Sequence, residues 1–161
     1  MIRAYIAIGS NLNDPVSQAH QAMAALRQSP DIQVVAESSL YSSTPMGPQN
    51  QPDYINAVVA IDTTLAPLAL LDLTQQIEQE HGRVRKAERW GPRTLDLDIL
   101  LYGDLQHHCE RLTIPHYGMK VREFVLYPLA EIAPELVLPD GTVLTELLSG
   151  VDRNGLRVWQ S

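Results

Sequence analysis

One cysteine, Cys109, stands among 161 residues, so no disulfide can close within the chain. That excludes a disulfide-stapled secreted scaffold and fits a reducing cytoplasm. Cations are also few: 12 Lys and Arg face 19 Asp and Glu, a formal net charge of -7. A chain of that sign does not bind nucleic acid or an anionic membrane over its whole surface. No apolar run approaches the roughly 20 residues of a spanning helix. The opening MIRAYIAIGSN ends its short apolar run at Gly9 and predicts a first strand, not a signal peptide. No GxxxxGKS/T loop occurs, and Gly9-Ser10-Asn11 is too short to cradle phosphates by itself. Aromatics are scarce: one Phe, two Trp and six Tyr, so few residues can stack on a flat ligand.

What remains is a globular composition, 45% hydrophobic and 19% charged, in a length that suits one domain spanning 1–161. No repeat, low-complexity tract or linker divides it. Apolar alternation predicts strands over 2–8, 32–41, 54–62 and 94–102. Helical spacing predicts helices over 15–28 and 67–82, the first opened by Asp14-Pro15 and the second closed by Gly82. The stretch Ser42 to Asp53, with three prolines, a glycine and three amides, is loop. The order β-α-β-β-α-β is that of ferredoxin-like α+β folds, a mainly antiparallel sheet with both helices on one face. Beyond it the pattern predicts an extended piece over 112–115 and one or two short helices over 117–131. A hairpin over 137–143 turned at Asp140-Gly141 and a last helical turn over 144–148 complete the chain.

The cations are not spread evenly. Arg83, Arg85, Lys86, Arg89 and Arg93 fall within eleven residues, and Asp96 and Asp98 follow at once. In a strand, alternate residues share a face, so Asp96 and Asp98 point one way while Leu95, Leu97, Ile99 and Leu101 enter the core. Two carboxylates roughly 6–7 Å apart along a strand repel unless a cation lies between them. Mg²⁺ takes one or two carboxylates and fills its shell with water and phosphate oxygens, while guanidinium grips the phosphates. The pattern therefore points to a polyphosphate with divalent metal. The competing reading is a solvated loop whose Arg89 and Arg93 form surface ion pairs with the aspartates.

Other residues divide between packing and chemistry. His116 lies between Pro115 and Tyr117, with Arg111 and Arg122 near in sequence; cations lower a histidine's proton affinity and suit it to donate to phosphate. Tyr54, Asn56, Phe124 and Trp90 are the stacking and edge-reading candidates for a flat ligand. His107-His108-Cys109 lacks a second cluster at ligand spacing and is expected to be loop or edge strand.

The run Arg89-Trp90-Gly91-Pro92-Arg93-Thr94-Leu95-Asp96-Leu97-Asp98-Ile99-Leu100 resembles the signature of the 6-hydroxymethyl-7,8-dihydropterin pyrophosphokinases of folate biosynthesis. Tyr5 to Leu12, Gln51 to Ala57 and Leu112 to Tyr117 resemble that family in the same order, so the likeness runs over roughly 2–140. It implies transfer of the β,γ-pyrophosphoryl group of ATP to the pterin hydroxymethyl, releasing AMP, with two Mg²⁺ on Asp96 and Asp98. By the same resemblance Arg83 and Arg93 attend the migrating phosphates. Gln75, Glu78, Arg85, Lys86, Arg89, Trp90, Ile99, Arg111, Thr113, His116, Tyr117 and Arg122 contact the nucleotide. Tyr54 and Phe124 sandwich the pterin, Asn56 reads its polar edge, Trp90 covers it, and Ser43, Thr44, Pro45 and Met46 contribute backbone. Ser43 stands where the family usually has Thr. The implied enzyme is a cytoplasmic monomer with no nucleic-acid or membrane partner. The alternative is a ferredoxin-like nucleotide- or RNA-binding module without catalysis, which would want exposed aromatics on its central strands. Segments Ser43 to Asp53 and Arg83 to Pro92 are expected to close over bound ligands.

Overall fold

A computed structural model of the chain describes residues 1–11, 14–43, 54–81 and 95–159. The elements are β1 (Ile2–Ser10), α1 (Pro15–Gln28), β2 (Ile32–Glu37), β3 (Tyr41–Ser43), β4 (Tyr54–Thr63), α2 (Pro67–His81) and β5 (Asp96–Tyr102). After these come β6 (His107–His108), β7 (Thr113–Ile114), a 3-10 turn (Met119–Val121), α3 (Glu123–Ile132), α4 (Leu144–Ser149) and β8 (Arg157–Val158). The main sheet runs β5-β1-β4-β3-β8, with β2 also on β4, and each of these pairs is antiparallel. This is the expected ferredoxin-like order, with β1 and β4 at the centre. Local chemistry sets the first helix: Asp14 caps α1, its carboxylate accepting the Ser17 N–H at 3.4 Å, and Pro15 opens it.

The sheet buries both faces. On one, Ala19, Met23 and Leu26 of α1 and Leu70, Leu71 and Ile77 of α2 pack on Ile6, Ile8, Val59, Ile61, Leu97 and Ile99. On the other, Met119 and α3's Val125, Leu126 and Leu129 cover Tyr5, Val58, Ala60, Leu100 and Leu101. A fully buried leucine such as Leu26 or Leu126 contributes about 1.5–3 kcal/mol of transfer free energy. The second cluster makes α3 a layer of its own, opposite α1 and α2. Among the described residues no helix is long and apolar enough to cross a membrane.

Four details depart from the sequence pattern. Gly9 does not end β1; the strand continues to Ser10, with Gly9 paired to both Asn56 and Asp96. The long strand over 32–41 is two strands, β2 ending at Glu37 and β3 starting at Tyr41, and β2 itself carries a bulge at Val35 between Val34↔Ile61 and Ala36↔Ala60. Ser38 then stitches the gap, its N–H donating to Val58 O and its Oγ accepting the Val58 N–H, both at 2.9 Å. In β5 the register jumps from Ile6↔Ile99 to Tyr5↔Leu101, so Leu100 is an extra residue. Leu101 therefore joins the α3 cluster, not the face of Leu97 and Ile99. Finally, β8 returns to pair with β3, and the Trp159 N–H donates to Leu40 O at 2.8 Å. The hairpin over 137–143 is a single bridge, Val137↔Val143, turned where Gly141 takes φ +89°.

Candidate functional site

Antiparallel partners point to the same side of a sheet. Asp96, Gly9, Asn56 and Tyr41 thus form one row across β5, β1, β4 and β3. Asp98, Ala7 and Val58 form the next row on that side, where Ala7 and Val58 pack under the α3 layer. The two aspartates accordingly stand where the α3 cover ends. Gly9 keeps the space between Asp96 and Asn56 free of side chain; a Cβ there would lie 3.4 Å from Asn56 Oδ1. Asn56 is 5% exposed and donates from Nδ2 to Ser43 Oγ at 3.0 Å. Tyr54, two residues earlier on the same side and opposite Ser43, is 38% exposed.

His116 reaches Asp98 from beyond the edge of β5. Its N–H donates to Leu100 O at 3.0 Å, and its Nδ1 accepts the Gly118 N–H at 3.1 Å. An accepting Nδ1 leaves the proton of the neutral ring on Nε2, which lies 4.0 Å from Asp98 Oδ2. Burial lowers the His116 pKa; the Asp98 charge raises it and Arg122 lowers it. The direction is the one expected from sequence, but burial is the leading cause and Arg111 is not among the causes. The His116 ring stacks on Tyr117 at 4.6 Å, and the Arg122 guanidinium lies 5.6 Å from the Tyr117 ring and 5.8 Å from the Phe124 ring. Gly118 permits that approach, since a Cβ there would fall 2.7 Å from Arg122 Cζ.

The other expected contacts are more dispersed. Arg111 lies against α2, donating to Asp72 at 2.6 Å and to Gln75 at 3.3 Å. Thr113 Oγ1 is 3.0 Å from His108 Nδ1. Ile99 is buried against the α1 and α2 side, on the face opposite the aspartates. Glu78 is also buried and accepts the Leu97 N–H at 2.8 Å. Thr44, Pro45, Met46, Arg83, Arg85, Lys86, Arg89, Trp90 and Arg93 lie outside the described residues, as do the expected Arg89 and Arg93 ion pairs and most of both segments expected to close. His107-His108-Cys109 falls partly on β6, with His107 Nε2 3.4 Å from Cys109 Sγ. Beyond His116 opens a cleft of about 540 Å³ that shares Thr113, His116 and Tyr117 with the site; its far wall holds Lys120 bonded to Asp140.

Among the described residues no set of three or more His, Cys, Asp or Glu could enclose a metal by itself. The donors at the site are carboxylate oxygens, which suit a hard cation sharing its shell with phosphate and water. His116, protonated at the nitrogen nearest Asp98, is placed as a hydrogen-bond donor and not as a ligand. Sequence reasoning passed over Gly9 as a strand breaker. The signal that could have found it is a glycine at strand spacing, which marks close approach.

A family model described as 7,8-dihydro-6-hydroxymethylpterin-pyrophosphokinase matches residues 5–134. A Haemophilus influenzae protein named 2-amino-4-hydroxy-6-hydroxymethyldihydropteridine pyrophosphokinase is 60% identical over 148 residues, 92% of either chain. A Pseudomonas aeruginosa protein of that name is 54% identical over 154 residues, 96% of this chain and 94% of the relative. In structure, a Plasmodium falciparum HPPK-DHPS triple mutant with STZ-DHP superposes with TM-score 0.72 at 14% identity, a likeness of fold. The match covers 92% of this chain and 43% of the Plasmodium chain.

Proposed function

Because the chain belongs to the 7,8-dihydro-6-hydroxymethylpterin-pyrophosphokinase family, we propose a division of labour among its residues for that family's reaction. The chain is an ATP-dependent diphosphotransferase of folate biosynthesis, acting on 6-hydroxymethyl-7,8-dihydropterin. The pterin hydroxyl oxygen bonds to the β phosphorus while the bond from that phosphorus to the α,β-bridging oxygen breaks. AMP leaves with the electron pair, and the hydroxyl proton passes to Asp96 or to water.

Asp96 and Asp98 would hold two Mg²⁺ beside the ATP phosphates, and the ions would supply charge neutralisation there. Phosphoryl transfer asks little covalent help, so the remaining residues mainly position and neutralise. Arg83 and Arg93 grip the migrating phosphates. His116 donates from Nε2 to a phosphate oxygen, supported by its Nδ1 accepting from Gly118. Gln75, Arg85, Lys86, Arg89, Ile99, Arg111, Thr113, Tyr117 and Arg122 complete the nucleotide side. Tyr54 and Phe124 sandwich the pterin, Asn56 reads its edge beside Ser43 to Met46, and Trp90 covers it. The enzyme works as one domain and as a monomer in the cytoplasm, without nucleic-acid or membrane partners.

The observation that carries this reading is the row Asp96, Gly9, Asn56, which aligns the carboxylate pair with a buried amide across one glycine. The RNA-binding alternative lacks support: Ile6, Ile8, Val58 and Ala60 of the central strands are buried and aliphatic. Incubation with ATP, Mg²⁺ and 6-hydroxymethyl-7,8-dihydropterin, followed by chromatography, tests the reaction. AMP and a pterin diphosphate are expected; ADP with a pterin monophosphate would refute transfer from the β phosphorus.

A further inference from the structure

β5 is an end strand of the main sheet, and among the described strands it pairs with β1. An end strand presents alternate N–H groups away from its partner, and a buried one needs an acceptor. Leu97 has such an N–H, and it is the residue between Asp96 and Asp98. Leu97 is 3% exposed, so water does not serve it. Its acceptor is Glu78 Oε2 at 2.8 Å, from a side chain that is itself 5% exposed. Glu78 sits in the last turn of α2, on the face whose Leu70, Thr74 and Ile77 are buried. Helix packing therefore fixes one end of this link and the strand backbone the other.

The geometry points to Glu78 as a positioning residue for the Asp96–Asp98 pair, acting through the Leu97 amide and not on the nucleotide. The peptide group is planar, so holding the Leu97 N–H holds the plane that joins the Asp96 Cα to the Leu97 Cα. That plane sets the direction in which the Asp96 side chain leaves the strand and the pitch to Asp98. A buried N–H left without an acceptor is costly, so the Glu78 oxygen secures this amide in place. The inference rests on the metal–polyphosphate role given above to Asp96 and Asp98.

The test compares Glu78→Gln, which keeps an acceptor oxygen at nearly the same reach, with Glu78→Ala, which removes it. Misplacing a reacting group by about 1 Å costs on the order of a hundredfold. Glu78→Ala is expected to lower kcat about a hundredfold with the KM for ATP within about threefold, and Glu78→Gln to stay within about threefold in both. Hydrogen exchange at the Leu97 amide, read by NMR without substrates, should be slow in the wild type and Glu78→Gln and fast in Glu78→Ala. If Glu78→Ala does not fold, Glu78→Asp, one methylene shorter, takes its place with the same expected losses. Equal loss in Gln and Ala, a loss confined to KM, or unchanged Leu97 exchange would each overturn the inference. Failure of the wild type to form AMP would instead refute the reaction, while Leu97 exchange would still decide whether Glu78 holds the strand.

Discussion

The buried amide of Asn56 permits a sharp prediction about pterin recognition. Asn56 is 5% exposed, and its Nδ2 has Ser43 Oγ as acceptor at 3.0 Å. That bond leaves Oδ1 on the Gly9 side as the group offered to a ligand's donors. Ser43→Ala removes the acceptor. The amide then either flips, turning a donor toward the ligand, or keeps its orientation with a buried N–H unpaired. One neutral hydrogen bond is worth about 0.5–1.5 kcal/mol, so pterin affinity should fall about two- to twelvefold. Asn56→Ala strips both ends and leaves ligand polar groups unpaired at about 1–3 kcal/mol, a loss of about five- to 150-fold. Ser43→Thr keeps the hydroxyl and should lie within about twofold of the wild type. The assay is calorimetric titration of 6-hydroxymethylpterin into protein saturated with Mg²⁺ and an unreactive ATP analogue, with analogue affinity measured alongside. Wild-type pterin affinity in Asn56→Ala, or an equal loss of analogue affinity in Ser43→Ala, would refute the reasoning.

Replacing Asp96 or Asp98 by Ala should cut turnover on the order of a hundredfold or more with circular dichroism unchanged, since both side chains leave the helix-covered core; a variant that unfolds yet keeps specific activity in its folded fraction would make the pair structural. Arg83→Ala and Arg93→Ala should lower kcat more than they raise the Kd for ATP, as steady-state and equilibrium titrations can compare. Asp140 offers a pH test away from the site. The Lys120 ammonium, then Thr142, hold its carboxyl below the ordinary 3.8, so its contribution is present above that value and lost as pH falls through the lower folded pKa. The gap in melting temperature between wild type and Asp140→Asn should thus be constant from pH 7 to about 4 and shrink below 3.8.

The strands and helices of the core were legible because one period governs each: 2 along β1 and β4, 3.6 along α1 and α2. The aspartate pair was legible for the same reason, since Asp96 and Asp98 sit where alternation puts them outward. What pattern could not show was where the period slips. The extra residue Leu100 moves Leu101 to the other face, and the Val35 bulge shifts the register of β2 against β4. A one-residue slip leaves composition unchanged, so only pairing with a neighbour reveals it. The bond from the Leu97 amide to Glu78 was hidden differently. Charged residues are rarely buried unless paired, and one partner of Glu78 is a backbone N–H that no sequence displays. The return of β8 to β3 joins residues more than a hundred positions apart, beyond any local signal.

The most direct test is a crystal structure of the protein with Mg²⁺, an unreactive ATP analogue and 6-hydroxymethylpterin. The account predicts two metal ions with carboxylate oxygens of Asp96 and Asp98 at about 2.0–2.1 Å, both bridged to phosphate oxygens. The pterin hydroxymethyl should face the β phosphorus across Gly9. Metal held by the phosphates alone, with Asp96 and Asp98 turned to protein cations, would contradict it.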